Sequence, residues 1–272
     1  EPVAAEFQPA PASTQRGIYQ QMLLLALSNP FHLAEGECPV LFAALAPLAE
    51  LGRLLPWEDD DEGESPVVDL TDAQPCLGYG QQPAGHPDHL RRFELGALLI
   101  AMLEPAPLRT TAERQALDKV QQHWLGRQQR RHPRVDYDTP CELVSGLAAI
   151  HAQLLEQRPG KAPAHMLDAS PGGAGVLCAA DQAAHLAVGQ LVLLLNEQSA
   201  PTLALVRWRH LNARGLHLGL RYLKGLPRPV WLRRAPSAQT HVGVLQSTPD
   251  PGNGWHHGLW LPSGQFAEGE NV

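Results

Sequence analysis

The 272-residue chain reads as an α+β protein, with a mostly helical first half, an antiparallel β-barrel or sandwich after it, and additional strands at its C-terminal end. Up to about residue 125 the apolar runs carry helix-favouring residues and stop at prolines. From Met166 onward, short apolar runs such as LAVGQLVLLL, TLALVRWRH, LHLGLRYL and PVWLRR alternate with turns. The composition is 44% apolar and 18% charged with 24 Gly and 25 Pro, which describes a folded, loop-rich chain rather than a disordered or coiled-coil one.

Taken in order, residues 1–14 read as a linker and 15–125 as the helical domain. Gly17 to Ser28 and Val40 to Leu55 are expected as helices, stopped by Pro30 and Pro56. Pro66 to Leu70 is a short strand, His89 to Leu103 a further helix, and Thr110 opens another through a capping box with Glu113. Leu117, Val120 and Trp124 share one face of that last helix. Residues 126–225 form the β-domain, with SGLAAIHAQLL expected as a helix inside it, and 226–272 a C-terminal β extension.

No apolar run approaches the roughly 18–20 residues needed to span a bilayer, and no basic start leads into an apolar export signal. Four cysteines (Cys38, Cys76, Cys141, Cys178) are too scattered for a zinc knuckle or a redox pair and read as reduced core thiols of a cytosolic protein. GxSxG, HExxH, Walker and CxxC templates are absent, and Pro83 stands where a dinucleotide fingerprint after Gly78 and Gly80 needs glycine. His256 and His257 are adjacent in a strand pattern and so point to opposite faces, against a metal site; His165, near Asp168, is a candidate ligand-edge residue. No catalytic residue, metal or cofactor is therefore expected.

The net charge of −7 argues against a general nucleic-acid binder, but it hides blocks of opposite sign. Glu58 to Glu64 is acidic and reads as a solvated loop, whereas residues 198–249 contain no acid and eight cations. A second basic knot holds Arg127, Arg130, Arg131 and Arg134. An anionic partner follows from both.

Two short motifs belong together: RRHPR, an RxxxR spacing from Arg130 to Arg134, and DASPGG, a DxSxxG spacing from Asp168 to Gly173. Either alone is an ordinary basic stripe or Asx turn. Their order, followed by strands carrying VRW and LGL, resembles the PilZ domain, the bacterial cyclic di-GMP receptor module, over residues 126–225. The resemblance implies a PilZ-type barrel in which Arg130 and Arg134 clamp phosphates and guanine edges, often around a stacked ligand dimer. Guanidinium suits both tasks because its rigid fork matches phosphate and the Hoogsteen edge of guanine. By the same resemblance Arg131 adds a contact, with Arg127 a weaker candidate. Asp168 accepts from a guanine edge, Ser170 hydrogen-bonds nearby, and Gly173 lets the backbone approach where a Cβ would collide.

The chain departs from the family pattern in the 33 residues between Arg134 and Asp168, where the expected helix looks like an insertion or lid. Pro133 favours an ordered approach to Arg134. The expected function is a cytoplasmic, non-enzymatic effector whose Arg-rich segment closes on cyclic di-GMP and reorients the helices, which then meet a protein partner. Family behaviour implies control of motility, pili, biofilm or virulence. The alternatives are an RNA-binding barrel, weakened by few aromatics on the strands, and a ligand-free PilZ-like interaction scaffold.

Overall fold

The structure, a computed structural model, describes residues 14–58, 65–72, 76–78, 83, 85–103, 110–124, 133–157, 160–197, 199–233, 239–250, 252 and 254–264. Of these, the side chains of Leu103 and Gln122 are left undescribed. The chain divides into two units, residues 1–130 and 131–272, each with its own core. The linker expected over 1–14 lies outside the described residues except for Thr14, as do residues 59–64 of the acidic run.

In the first unit the Thr14 hydroxyl accepts from the Gly17 amide at 3.0 Å and starts α1 (Gln15–Leu27). This helix buries Leu23 and Leu24 but also Gln20 and Gln21, whose amides donate to the Gly52 and Phe42 carbonyls, so neither polar group goes unpaired. The helix expected over Val40 to Leu55 is instead α2 (Glu37–Leu45), a 3-10 segment (Ala46–Leu51) and strand β1 (Arg53–Pro56). Pro47 removes the amide that would continue α2, and the chain turns out at Gly52. After β2 (Val67–Asp69), the expected helix His89 to Leu103 also divides, into β3 (Leu90–Glu94) and α3 (Gly96–Leu103). β3 pairs antiparallel with β1 on one side and β2 on the other, with Phe93 in the core and Leu90 buried on the opposite face; pairing on both edges outweighs the local helical bias. α4 (Thr111–Trp124) begins with the expected capping box: the Thr110 amide donates to Glu113 Oε2 at 2.7 Å, and the Glu113 amide to Thr110 Oγ1 at 3.2 Å. Its Leu117, Val120 and Trp124 are buried, and the Trp124 indole donates to Ser28 Oγ at 3.0 Å, tying α4 to the end of α1.

The second unit runs β4 (Val135–Ser145), α5 (Leu147–Leu154), β5 (Ala162–Ser170), β6 (Gly173–Cys178), α6 (Ala180–Ala183), β7 (Leu191–Asn196), β8 (Ser199–Asn212) and β9 (Gly215–Tyr222). The strands close into an antiparallel barrel of order β4-β5-β6-β9-β8-β7, because Leu143 of β4 meets Ala162 of β5 on one side and Leu194 of β7 on the other. Alternate residues, among them Met166, Val176, Val206, Leu218 and Leu220, fill the interior.

β10 (Leu226–Arg233), β11 (Thr240–Pro249) and β12 (Trp255–Trp260) neither extend this barrel nor start another; they form an open three-stranded sheet. α5 is wedged against that sheet rather than hinged over an opening. Ile150 of α5, Val244 of β11 and the barrel's outward-pointing Val144, Leu193 and Leu203 make one buried cluster, with the His151 ring edge-on to Trp231. The expected insertion or lid is therefore a buttress that lets the C-terminal sheet cover one outer face of the barrel.

Candidate functional site

Two register shifts decide which side chains reach the barrel's outer wall. In β5, Met166 pairs with Val176 but Asp168 pairs with Gly175, so Leu167 is one residue in excess. Strand alternation would put Asp168 on the same side as Met166, inside; the bulge turns it outward. The same happens in β8, where Val206 pairs with Leu220 but Trp208 with Gly219, leaving Arg207 as the extra residue and turning Trp208 out. Gly175 and Gly219 are themselves cross-strand partners on β6 and β9. A carboxylate and an indole thus flank a floor of two glycines.

That floor has no room for side chains of its own. A Cβ on Gly219 would fall 1.9 Å from Trp208 Nε1, so the indole lies directly on the backbone. A Cβ on Gly175 would approach Asp168 Oδ1 at 2.9 Å and Arg134 Nη1 at 3.1 Å. Asp168 Oδ1 accepts from the Gly175 amide at 2.8 Å and from the Arg134 guanidinium, which pairs with it as a salt bridge. Both side chains are about one quarter exposed, 21% for Arg134 and 27% for Asp168, so each is held by its partners while keeping an accessible edge. Arg134 follows directly on Pro133, immediately before β4 begins.

Ser170 and Gly173 close the β5–β6 hairpin, with Ser170 Oγ donating to the Gly173 carbonyl at 3.3 Å. The close approach at Gly173 is to the adjoining strand: a Cβ would lie 2.0 Å from the Leu220 carbonyl oxygen. Beside the hairpin a cavity of about 430 Å³ is lined by Pro133, Val135, Tyr137, Ala169, Ser170 and Pro171. Tyr222, at the end of β9, keeps its phenol proton. Burial raises its pKa first, Cys141, Tyr137 and Asp168 add to the rise, and Arg134 opposes it.

Of the residues expected from sequence, the structure brings Arg134 and Asp168 into contact and sets Ser170 and Gly173 in the same hairpin; Arg127, Arg130 and Arg131 lie outside the described residues. His165 stands elsewhere, 3.6 Å from Asp138 and bordering a separate hollow of about 980 Å³ that contains none of these four. Sequence reasoning missed Gly175, Gly219 and Trp208 as neighbours of the pair. VRW and LGL were legible as strand signatures, but the bulges that aim them were not. Arg221, also missed, is exposed on β9, two residues from Gly219 and hence on the same outer side.

The class of protein this geometry describes is a closed antiparallel β-barrel domain that carries a basic and acidic pair, an indole and a bare glycine floor on its outer wall. Residues 128–230 match the PilZ domain family, and residues 1–59 match the family described as cyclic-di-GMP receptor FimW, N-terminal domain. Together the two matches support a PilZ-domain cyclic di-GMP receptor, a kind of protein that binds its ligand without catalysis. No curated protein matches the chain. Among the described residues no helix is long and apolar enough to cross a membrane, and no group of three metal-ligating side chains converges.

Proposed function

We propose that cyclic di-GMP docks on the outer wall over Gly175 and Gly219, and that the receptor uses this contact to control motility, pili, biofilm or virulence from the cytoplasm. The supporting observation is that Arg134 and Asp168, 34 residues apart, form one salt-bridged pair above the Gly175 amide. Arg134 offers further N–H groups to phosphate or to guanine O6 and N7, while Asp168 accepts from the guanine N1–H and amino group. Trp208 supplies an aromatic face for a base, and Arg221 a cation for phosphate. Arg130 and Arg131 complete the clamp from the preceding segment, and Ser170 and Gly173 set the hairpin that frames it. Closure of this segment on the dianionic ligand reorients the helical domain, which carries the signal to a protein partner.

Calorimetry on the full chain tests the site. Saturable binding near micromolar, about −8 kcal/mol, is expected for the unmutated protein, with strong weakening in Arg134→Ala and Asp168→Ala. Arbitrary RNA oligomers should give no comparable binding as salt is raised. Absence of heat with cyclic di-GMP and the unmutated chain would remove the proposal.

A further inference from the structure

The C-terminal sheet has two outer edges, and they are not alike. On β10, Pro227 and Pro229 face Gln246 and Val244 of β11. Proline is tolerated in a paired strand where its missing N–H would point away from the partner, so both gaps fall on the outer edge of β10. That edge is a poor template for another strand. β12, WHHGLW, has no proline and no Asp, Glu, Lys or Arg, and among the described residues no strand pairs with its outer side. Trp255 is 60% exposed and Leu259 36%. Open edges are ordinarily blunted by charge, proline or a covering element, and among the described residues β12 has none of the three.

We infer that β12 pairs antiparallel with β12 of a second copy of this chain, about a two-fold axis at His257, joining two three-stranded sheets into one of six. The register follows from the faces. Trp255, His257 and Leu259 stand opposite Pro249, Ser247 and Leu245, on the side away from the α5 cluster; His256, Gly258 and Trp260 share the other face with Val244. A two-fold axis normal to the sheet keeps like faces together. Centred on His257, it sets Trp255 of each copy beside Leu259 of the other, twice, and His256 beside Gly258. Aromatic–aliphatic cross-strand pairs of this kind stabilise sheets, and a foreign strand supplies them only by coincidence of sequence. Charge does not oppose this location, because β12 itself carries no Asp, Glu, Lys or Arg to set against its own copy. An edge of six residues is about 20 Å long, at the small end of specific interfaces, so the dimer forms with rising concentration.

Light scattering on the full chain over a concentration series tests this. The mass is expected to climb from 29.6 kDa toward twice that value. His257→Lys, which sets two ammonium groups against each other at the axis, should hold it at the monomer. Val230→Lys, on the same outward face but on β10, should dimerise as the unmutated chain does. Should His257→Lys melt early by circular dichroism, His257→Phe is read instead and is expected to tighten the dimer. A monomeric mass at every soluble concentration overturns the inference. So does equal dissociation by Val230→Lys, which would mean that the sheets stack face to face, and so does a looser dimer in His257→Phe.

Discussion

Asp168 and Trp208 reach the same outer wall of the barrel by the same device, one extra residue in each of two strands that flank a facing pair of glycines. Neither side chain would be there in a regular sheet. The arrangement explains how a barrel whose interior is packed with Met166, Val176, Val206 and Leu218 still presents a carboxylate and an indole: both are carried on the outside, and the core is left apolar.

The glycines of this region separate fold from site. Gly173→Ala should destabilise the barrel by about 2–3 kcal/mol, because the new methyl meets the Leu220 backbone, which has nowhere to move. Gly175→Ala meets only the ends of the Asp168 and Arg134 side chains, and Gly219→Ala the Trp208 indole. These two should melt close to the unmutated protein and lose cyclic di-GMP affinity tenfold or more, about 1.4 kcal/mol. Thermal denaturation alongside calorimetry distinguishes the two outcomes.

Much of this fold can be read from residue patterns, and what cannot be read has physical causes. The capping box at Thr110, the buried face of α4 and the barrel strands are all local signals, and each has its counterpart in the structure. β1 and β3 are not local: LRRFE becomes a strand only because two partners distant in sequence pair with it. Arg134 and Asp168 stand out through their motifs, whereas Trp208 and Gly219 become neighbours of that pair through bulges, and a one-residue shift leaves no trace in composition or period.

Trp208 should report the ligand directly. Its indole lies over Gly219 beside the Asp168 and Arg134 pair, so cyclic di-GMP docking there changes its fluorescence. The chain contains six tryptophans, and Trp208→Phe is expected to abolish the ligand-dependent part of the signal while leaving the rest. A ligand response that persists undiminished in that variant would point to another location for the base.

Three of the four thiols, Cys141 and Cys178 of the barrel and Cys76 of the first unit, should be inert. Burial pushes Cys141 and Cys178 each up to about 11, with Glu142 adding to the first and Cys141 to the second, and burial alone takes Cys76 to about 12. At about pH 8 very little of any of the three is thiolate, the form that reacts. Alkylation followed by mass spectrometry should find these three protected in the folded chain and modified once it is denatured.

Acid should weaken the barrel partly through His217. Burial first, then His210 and Arg214, lower its pKa below the ordinary imidazole value. The unfolded chain therefore takes up the proton at the higher pH, so the contribution is complete above about 6.5 and is lost as pH falls from there through the folded value. His123 in the first unit is shifted the same way by burial. Between about pH 7.5 and about pH 5.5 the melting temperature of the second unit should drop further in the unmutated chain than in His217→Gln.

Ile150 tells a buttress from a lid. It is fully buried among Val144, Leu193, Leu203 and Val244, none of which borders the Arg134 and Asp168 pair. Ile150→Ala removes most of a packed side chain and should cost about 2–4 kcal/mol of stability in the second unit. Cyclic di-GMP affinity, measured well below the lowered melting point, should stay within about twofold, less than 0.5 kcal/mol. A lid would behave in the opposite way, because loosening it would alter ligand affinity and release while the closed barrel beneath kept its stability. Paired calorimetry and thermal melts on this one variant therefore decide which role α5 plays.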